Sequence, residues 1–216
     1  EYIVIQPVSD ETETRAGLIL PASALSTVAV RTGIVTAVGS EPNGIERGDK
    51  VLINGAGGGV GTFAVQIAKL YGAEVTGVDS TAKLDFMRSL GFHKVIDYTQ
   101  QDFTRCGTRY DLILDVKTNR SLFDYVRALT PGGRYVTVGG SMAKLLQVLL
   151  IGPFIRATRK KTMRLVVLKP NKDMADLNDL FKAGKVKPVL DKLHTLSELP
   201  EAMRYFGAGL HKGKVV

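Results

Sequence analysis

The sequence predicts an α/β chain: a doubly wound parallel sheet preceded by a small β module. Three observations carry this. From residue 51 onward, short β-branched apolar runs alternate with segments of 3.6-residue period. Between the first such run and the first such segment stands a burst of glycines, Gly55-Ala-Gly-Gly-Gly-Val-Gly61. Residues 1–50 have a different texture, with short strand-like runs punctuated by Gly and Pro and no helical period.

Taken in order, Glu1 leads at once into a strand-like run ending at Pro7-Val8, with no leader pattern ahead of it. Ser9 to Ala16 is polar and loop-like, Gly17-Leu-Ile-Leu-Pro21 is an apolar insert, and Thr32 to Gly39 is a second strand closed by glycine. Such punctuation suits a small, incomplete β-barrel. Strands are then expected near 51–54, 74–79, 94–96, 111–115, 134–138 and 163–168, and helices near 60–71, 81–90, 120–128, 173–183 and 198–206. On the first helix Val60, Ala64, Ile67, Ala68 and Tyr71 share a face. The run Leu145–Ile155, broken by Gln147, Gly152 and Pro153, is too short for a membrane span. It reads by default as core, with a substrate wall or a subunit contact as the other readings. The segments after 184 are expected to carry the last strands and a closing helix, the final residues returning toward the N-terminal module.

The glycine burst is where chemistry is expected. A strand running into Gly55-x-x-Gly58-x-x-Gly61, or equally Ala56-x-Gly58-x-x-Gly61, and then a helix lets a diphosphate reach free N–H groups at the helix start. Asn54, Ala56, Gly58, Gly59, Val60 and Gly61 are the residues placed there. The second strand ends in Asp79, 21 positions after Gly58, about where a ribose hydroxyl pair needs a carboxylate. That makes the sheet a Rossmann-type one, with ligand at the carboxyl ends of its strands. Val116 and Asn119 fall at such an end, and Val138-Gly139-Gly140-Ser141 closes another with small residues that admit a flat ring.

Composition narrows the classes. The 216 residues are 44% hydrophobic, and a formal charge of +8 suits a phosphate-bearing ligand. Nothing resembles a nucleic-acid motif, so nucleic acid is not an expected partner. One cysteine, Cys106, rules out an internal disulfide and fits a reducing, cytoplasmic compartment. His93, His194 and His211 are scattered and read as surface residues; no zinc site can be assembled from them. Asp111 and Asp115 have no paired base, which argues against acid–base work.

Two resemblances add to this. Residues 1–50, with Leu18-Ile19-Leu20 and the Gly33-Ile-Val-Thr-Ala-Val-Gly39 strand, resemble the GroES-like co-chaperonin fold, which is also the catalytic scaffold of medium-chain dehydrogenases. Leu18–Leu20 sits where co-chaperonins carry their docking tripeptide, although a buried strand is the simpler reading. From Gly48 to the end the chain is similar to the zinc-independent quinone oxidoreductase branch of the medium-chain dehydrogenase/reductase family. Gly48-Asp-Lys-Val-Leu-Ile-Asn-Gly-Ala-Gly-Gly-Gly-Val-Gly-Thr62, Val95-Ile-Asp-Tyr98, Leu129-Thr-Pro-Gly-Gly-Arg134 and Gly213-Lys-Val-Val216 carry that likeness.

The resemblance implies an NAD(P)H cofactor and metal-free hydride transfer to a quinone or an α,β-unsaturated carbonyl. It implies that Ser80 and Lys83 hold the NADPH phosphate and that Tyr98 packs beside the adenosine. Asp79 pulls the other way, repelling a 2′-phosphate and tilting the expectation slightly to NADH. The family's substrate-side Asn and Tyr have no counterpart here, so no catalytic residue is assigned. The domains expected are 1–50 and 51–216, and a homodimer is compatible with them. Two alternatives stay open: a nucleotide-binding hybrid without turnover, and a co-chaperonin-like interaction module.

Overall fold

A computed structural model of the chain describes residues 44–166 and 174–216, together with the backbone of Ile3–Pro7 and Gly33–Val38. Contacts divide the chain into two compact units, residues 1–44 and 45–216. In the first, β1 (Ile3–Pro7) and β2 (Gly33–Val38) pair antiparallel, with a register shift between Val4 and Ile5. The insert Leu18–Leu20 lies outside the described residues.

The second unit is built on β3 (Lys50–Asn54), β4 (Glu74–Asp79), β5 (Lys94–Asp97), β6 (Tyr110–Asp115), β7 (Leu129–Thr137) and β8 (Thr162–Leu165). They form one sheet in the order β5-β4-β3-β6-β7-β8, and every neighbouring pair is parallel. The chain winds outward from β3 to β5, crosses back beside β3, and winds outward again to β8. The winding reverses between β3 and β6, so their carboxyl ends part there and leave a crevice.

Side chains alternate along each strand, and both faces of the sheet are covered. Val51, Ile53 and Val75 face one way, against Val65 and Ala68 of α1 (Gly59–Leu70) and Met87 of α2 (Leu84–Ser89). Leu52, Val78, Ile96, Ile113 and Tyr135 face the other. There they meet Leu122, Tyr125 and Val126 of α3 (Leu122–Ala128) and Val148 and Ile155 of α4 (Met142–Arg159). Two buried faces explain why strands such as Val51-Leu-Ile read as continuous apolar runs. α5 (Met174–Lys182) and α6 (Leu199–Gly207) complete the helices of the described residues.

Three expectations are corrected. On α1 the buried residues are Gly61, Thr62, Val65 and Ala68, while Val60 and Tyr71 are exposed. The face is rotated because Gly61 lies so close to Ala56 that a Cβ there would fall 2.2 Å from the Ala56 carbonyl oxygen. The run Leu145–Ile155 is the middle of the 18-residue α4, and Leu146, Leu149, Leu150 and Phe154 are exposed. Gly152 and Pro153 do not break it: Gly152 lets the helix pack on Met163, and exposed Pro153 withholds its missing donor on the outer side. The strands expected after 184 reduce to two parallel bridges, Gly58 with Gly213 and Leu190 with Lys214, both within the second unit. No helix of the described residues is long and apolar enough to cross a membrane.

Candidate cofactor-binding site

The glycine turn sits at the carboxyl end of β3, beside the crevice. Gly55 has φ +86°, which only glycine adopts without strain, and both Gly55 and Ala56 donate their N–H groups to Val78 O at 2.9 and 3.1 Å. Gly61 closes the turn against Ala56, and α1 starts at Gly59. Its first N–H groups have no earlier helical turn to donate to. Gly57 is needed for a different reason. A Cβ there would lie 2.7 Å from Lys83 Cδ and 3.2 Å from Asp79 Oδ2.

Asp79 and Lys83 therefore pack behind the turn. Asp79 is 5% exposed and Lys83 3%. Asp79 Oδ2 accepts the Gly57 N–H at 2.9 Å, Oδ1 accepts the Ser80 N–H at 2.9 Å, and Lys83 Nζ lies 3.7 Å from Oδ1. Burial pushes the Lys83 ammonium below the ordinary lysine range, and the Asp79 charge opposes that shift. The two residues that argued for opposite cofactors neutralise one another.

A cleft of about 630 Å³ opens over this turn, lined by Gly58, Gly59, Val60, Asp79, Lys83 and Val116. A second, of about 370 Å³, is lined by Asn54, Asp79, Ser80, Tyr98 and Asn119. Gly55, Asp79, Lys117 and Gly209 border both. Of the residues expected at the site, Ala56 and Gly61 are buried within the turn and line neither cleft. Val138, Gly139 and Gly140 also line neither; they follow β7, where Gly139 O accepts the Thr118 and Thr137 hydroxyls at 2.5 and 2.6 Å.

Beside the turn, Asp115 anchors a second cluster. It is fully buried, and Oδ1 accepts from Asn54 Nδ2 (2.9 Å), Lys117 N (3.1 Å) and Thr118 N (2.8 Å) while Oδ2 accepts the Tyr135 hydroxyl at 2.8 Å. Burial first, then the Asp115 charge, pushes the Tyr125 and Tyr135 phenols far above their usual range. These phenols stay protonated. Thr118 sits here with φ +51°, an unusual conformation for a β-branched residue, and its hydroxyl also meets that of Thr137 at 3.0 Å.

Several lining residues had no signal in the sequence. Lys117 follows a strand end and packs on Gly55, where a Cβ would lie 3.0 Å from its Cγ. The segment after α6 folds back onto the turn, with Gly213 N donating to Gly57 O at 2.9 Å. It brings Gly209, His211 and Lys214 to the large cleft, beside Phe206 of α6. His211, expected on the surface, is only 8% exposed, because this fold-back covers it.

A cleft at the switch point of a parallel sheet, floored by a glycine turn and bordered by Lys83, Lys117 and Lys214, fits a diphosphate-bearing ligand. The sequence profile described as zinc-binding dehydrogenase matches residues 90–216. The chain belongs to this family. A second profile, the chaperonin 10 Kd subunit, matches residues 1–71, in keeping with a GroES-like start. The chain is 31% identical over 179 residues to a chloroplastic quinone oxidoreductase of Triphysaria versicolor, covering 77% of this chain and 51% of that protein. It is 30% identical over 198 residues to an NADPH-dependent alkenal/one oxidoreductase, chloroplastic, of Arabidopsis thaliana, covering 87% and 46%. The crystal structure of CurK enoyl reductase superposes with a TM-score of 0.65 at 28% identity, over 79% of this chain and 55% of that one. The chain thus spans about half the length of the curated relatives it matches.

The family's description implies zinc, and the residues do not fit it. Among the described residues no group of three or more His, Cys, Asp and Glu side chains could hold a metal ion. Cys106 donates to Asp102 O, and His93 Nδ1 accepts the Val75 N–H.

Proposed function

We propose that this chain is the dinucleotide-binding part of an NAD(P)H-dependent oxidoreductase that reduces a quinone or an α,β-unsaturated carbonyl. The observation that carries the proposal is the glycine turn at the switch point of the sheet, under a cleft with lysines on its border. The names of the matched relatives support the acceptor class.

In this proposal Gly58, Gly59 and Val60 hold the diphosphate on backbone N–H groups, with Gly61 setting the helix close behind. Ser80 and Tyr98 flank the adenosine end, and Asp79 faces the ribose. Val116, on the large cleft, is proposed for the ring end, where the nicotinamide would supply the hydride; Asn119 lines the smaller cleft with Ser80 and Tyr98, and Val138–Gly140 line neither. The chain's own part is to position that ring and shield it from water. NADH is the cofactor slightly favoured, because the Lys83 charge is held by Asp79 at 3.7 Å rather than offered to a 2′-phosphate. Residues 1–44 are proposed as the GroES-like module and 45–216 as the cofactor domain, and the compartment proposed is a reducing one, the cytoplasm. A homodimer is the assembly proposed.

A second reading, binding without turnover, is favoured by one observation: Asp115 and Tyr135 bond to each other and line neither cleft. One experiment separates the two. NADH and NADPH are titrated by fluorescence, and a simple quinone or alkenone is then added. Saturable binding followed by oxidation supports the enzyme, binding alone supports the second reading, and no binding removes both.

A further inference from the structure

Among the described residues Tyr110, His194 and His211 each keep a buried polar side-chain atom with no hydrogen-bond partner, and of these His211 borders the large cleft. It is 8% exposed, and its Nδ1 is buried with no hydrogen-bond partner. Buried polar atoms without partners are rare and costly, so the ring is held here by its packing and has only Nε2 to offer a ligand at the turn. The ring is not loose. It stacks on Phe206 with centroids 4.6 Å apart and planes 16° from parallel. Its segment is pinned by the Gly213 N–H to Gly57 O bond and by Lys212 N donating to Asp191 Oδ2, both 2.9 Å. The Nε2 side approaches the glycine turn: a Cβ on Gly58 would lie 3.6 Å from it.

We propose that the His211 imidazole is a ligand of the cofactor diphosphate, closing the glycine cradle from the side opposite α1. The inference rests on the dinucleotide reading above and adds a residue and a regulation to it.

The charges facing the ring set how it behaves. Lys83 after β4, Lys117 after β6 and Lys214 on its own segment border the same cleft. Asp79 at the end of β4 and Asp191 oppose them. Burial, then Lys83 and Lys117, holds the imidazole below its ordinary 6.5, so the free protein carries it neutral at pH 7. An incoming diphosphate adds negative charge beside the ring and offsets those lysines, which raises its pKa. Binding then takes up a proton. The sign follows: affinity is greatest below the pKa of the free protein and falls as pH rises through the pKa of the complex.

The test uses the full chain and NADH, which has no group of its own titrating between pH 6 and 8.5. Affinity is measured by fluorescence across that range for the wild type, His211→Asn and His211→Ala. Proton uptake is measured separately by calorimetry of the wild type in two buffers of different ionisation enthalpy. The expected result is a wild-type affinity that falls about tenfold over the range, as for one charge-assisted hydrogen bond. His211→Asn should be weaker at pH 6 and flat with pH, and His211→Ala weaker still. If the variants bind NADH as the wild type does with the same pH slope, the proposal is overturned while the dinucleotide reading stands. Zero proton uptake by the wild type overturns it too, and this needs no variant to fold. If the wild type binds no NADH at any pH, the dinucleotide reading itself fails.

Discussion

Two buried carboxylates sit at the ends of the strands on either side of β3, and they have opposite surroundings. Asp115, after β6, is wholly enclosed and saturated by neutral donors from Asn54, Lys117, Thr118 and Tyr135. Asp79, after β4, is paired with an ammonium and borders both clefts. A carboxylate whose lone pairs are all met by its own fold has nothing left for a ligand, so Asp115 is a scaffold. The Asp79 region borders an open cleft that Lys83, Lys117 and Lys214 also line and where His211 keeps an unpartnered nitrogen, which is the condition of a site for an anion.

The largest effect is expected at the floor of the cradle. Gly61→Ala would place a methyl 2.2 Å from the Ala56 carbonyl oxygen, so the helix must move. Overpacking of this kind should cost about 3 kcal/mol and abolish NADH binding. Urea unfolding and a fluorescence titration check both, and an unchanged affinity would remove the turn from the site.

Asp115→Ala should come next. It leaves the Asn54 amide, two backbone N–H groups and the Tyr135 hydroxyl without their acceptor, a loss of about 3 kcal/mol. Asp79→Ser should cost about as much in urea unfolding, again about 3 kcal/mol, because it leaves the buried Lys83 ammonium without its counter-charge. The same variant sharpens the contrast in function. Without the carboxylate, Lys83 is freed for a 2′-phosphate, and the ratio of NADPH to NADH affinity should rise about tenfold, or ~1.4 kcal/mol. A ratio that stays constant would take Asp79 out of cofactor choice.

The smallest effect lies away from both carboxylates, at the end of α4. Lys160 is exposed, with φ +52°, and caps the helix in the left-handed conformation. Lys160→Gly should stabilise the fold by about 0.5 kcal/mol and leave cofactor affinity unchanged. A change in affinity would show that α4 is coupled to the cleft.

Much of this was legible in the residues. The alternation of β-branched runs with 3.6-period segments located the strands and helices around β3 to β7, because both faces of a parallel sheet must be buried. The glycine spacing located the turn, because close backbone approach excludes side chains and leaves a local mark. Other features carried no such mark. Gly152 and Pro153 read as breakers although packing on Met163 and solvent on the outer face keep them in a helix. The rotation of α1 depends on one contact between Gly61 and Ala56.

By itself, then, the sequence determined the parallel α/β sheet, the glycine turn and the placement of Asp79 at a strand end, since periodicity and backbone freedom act over a few residues. Only the tertiary structure decided that Asp79 and Lys83 neutralise each other, that Asp115 is enclosed, and that His211 is buried over the turn. Those outcomes depend on which groups, more than a hundred positions apart in the case of Gly58 and Gly213, are brought within bonding distance. Burial and charge pairing are properties of that juxtaposition, and no local pattern encodes them.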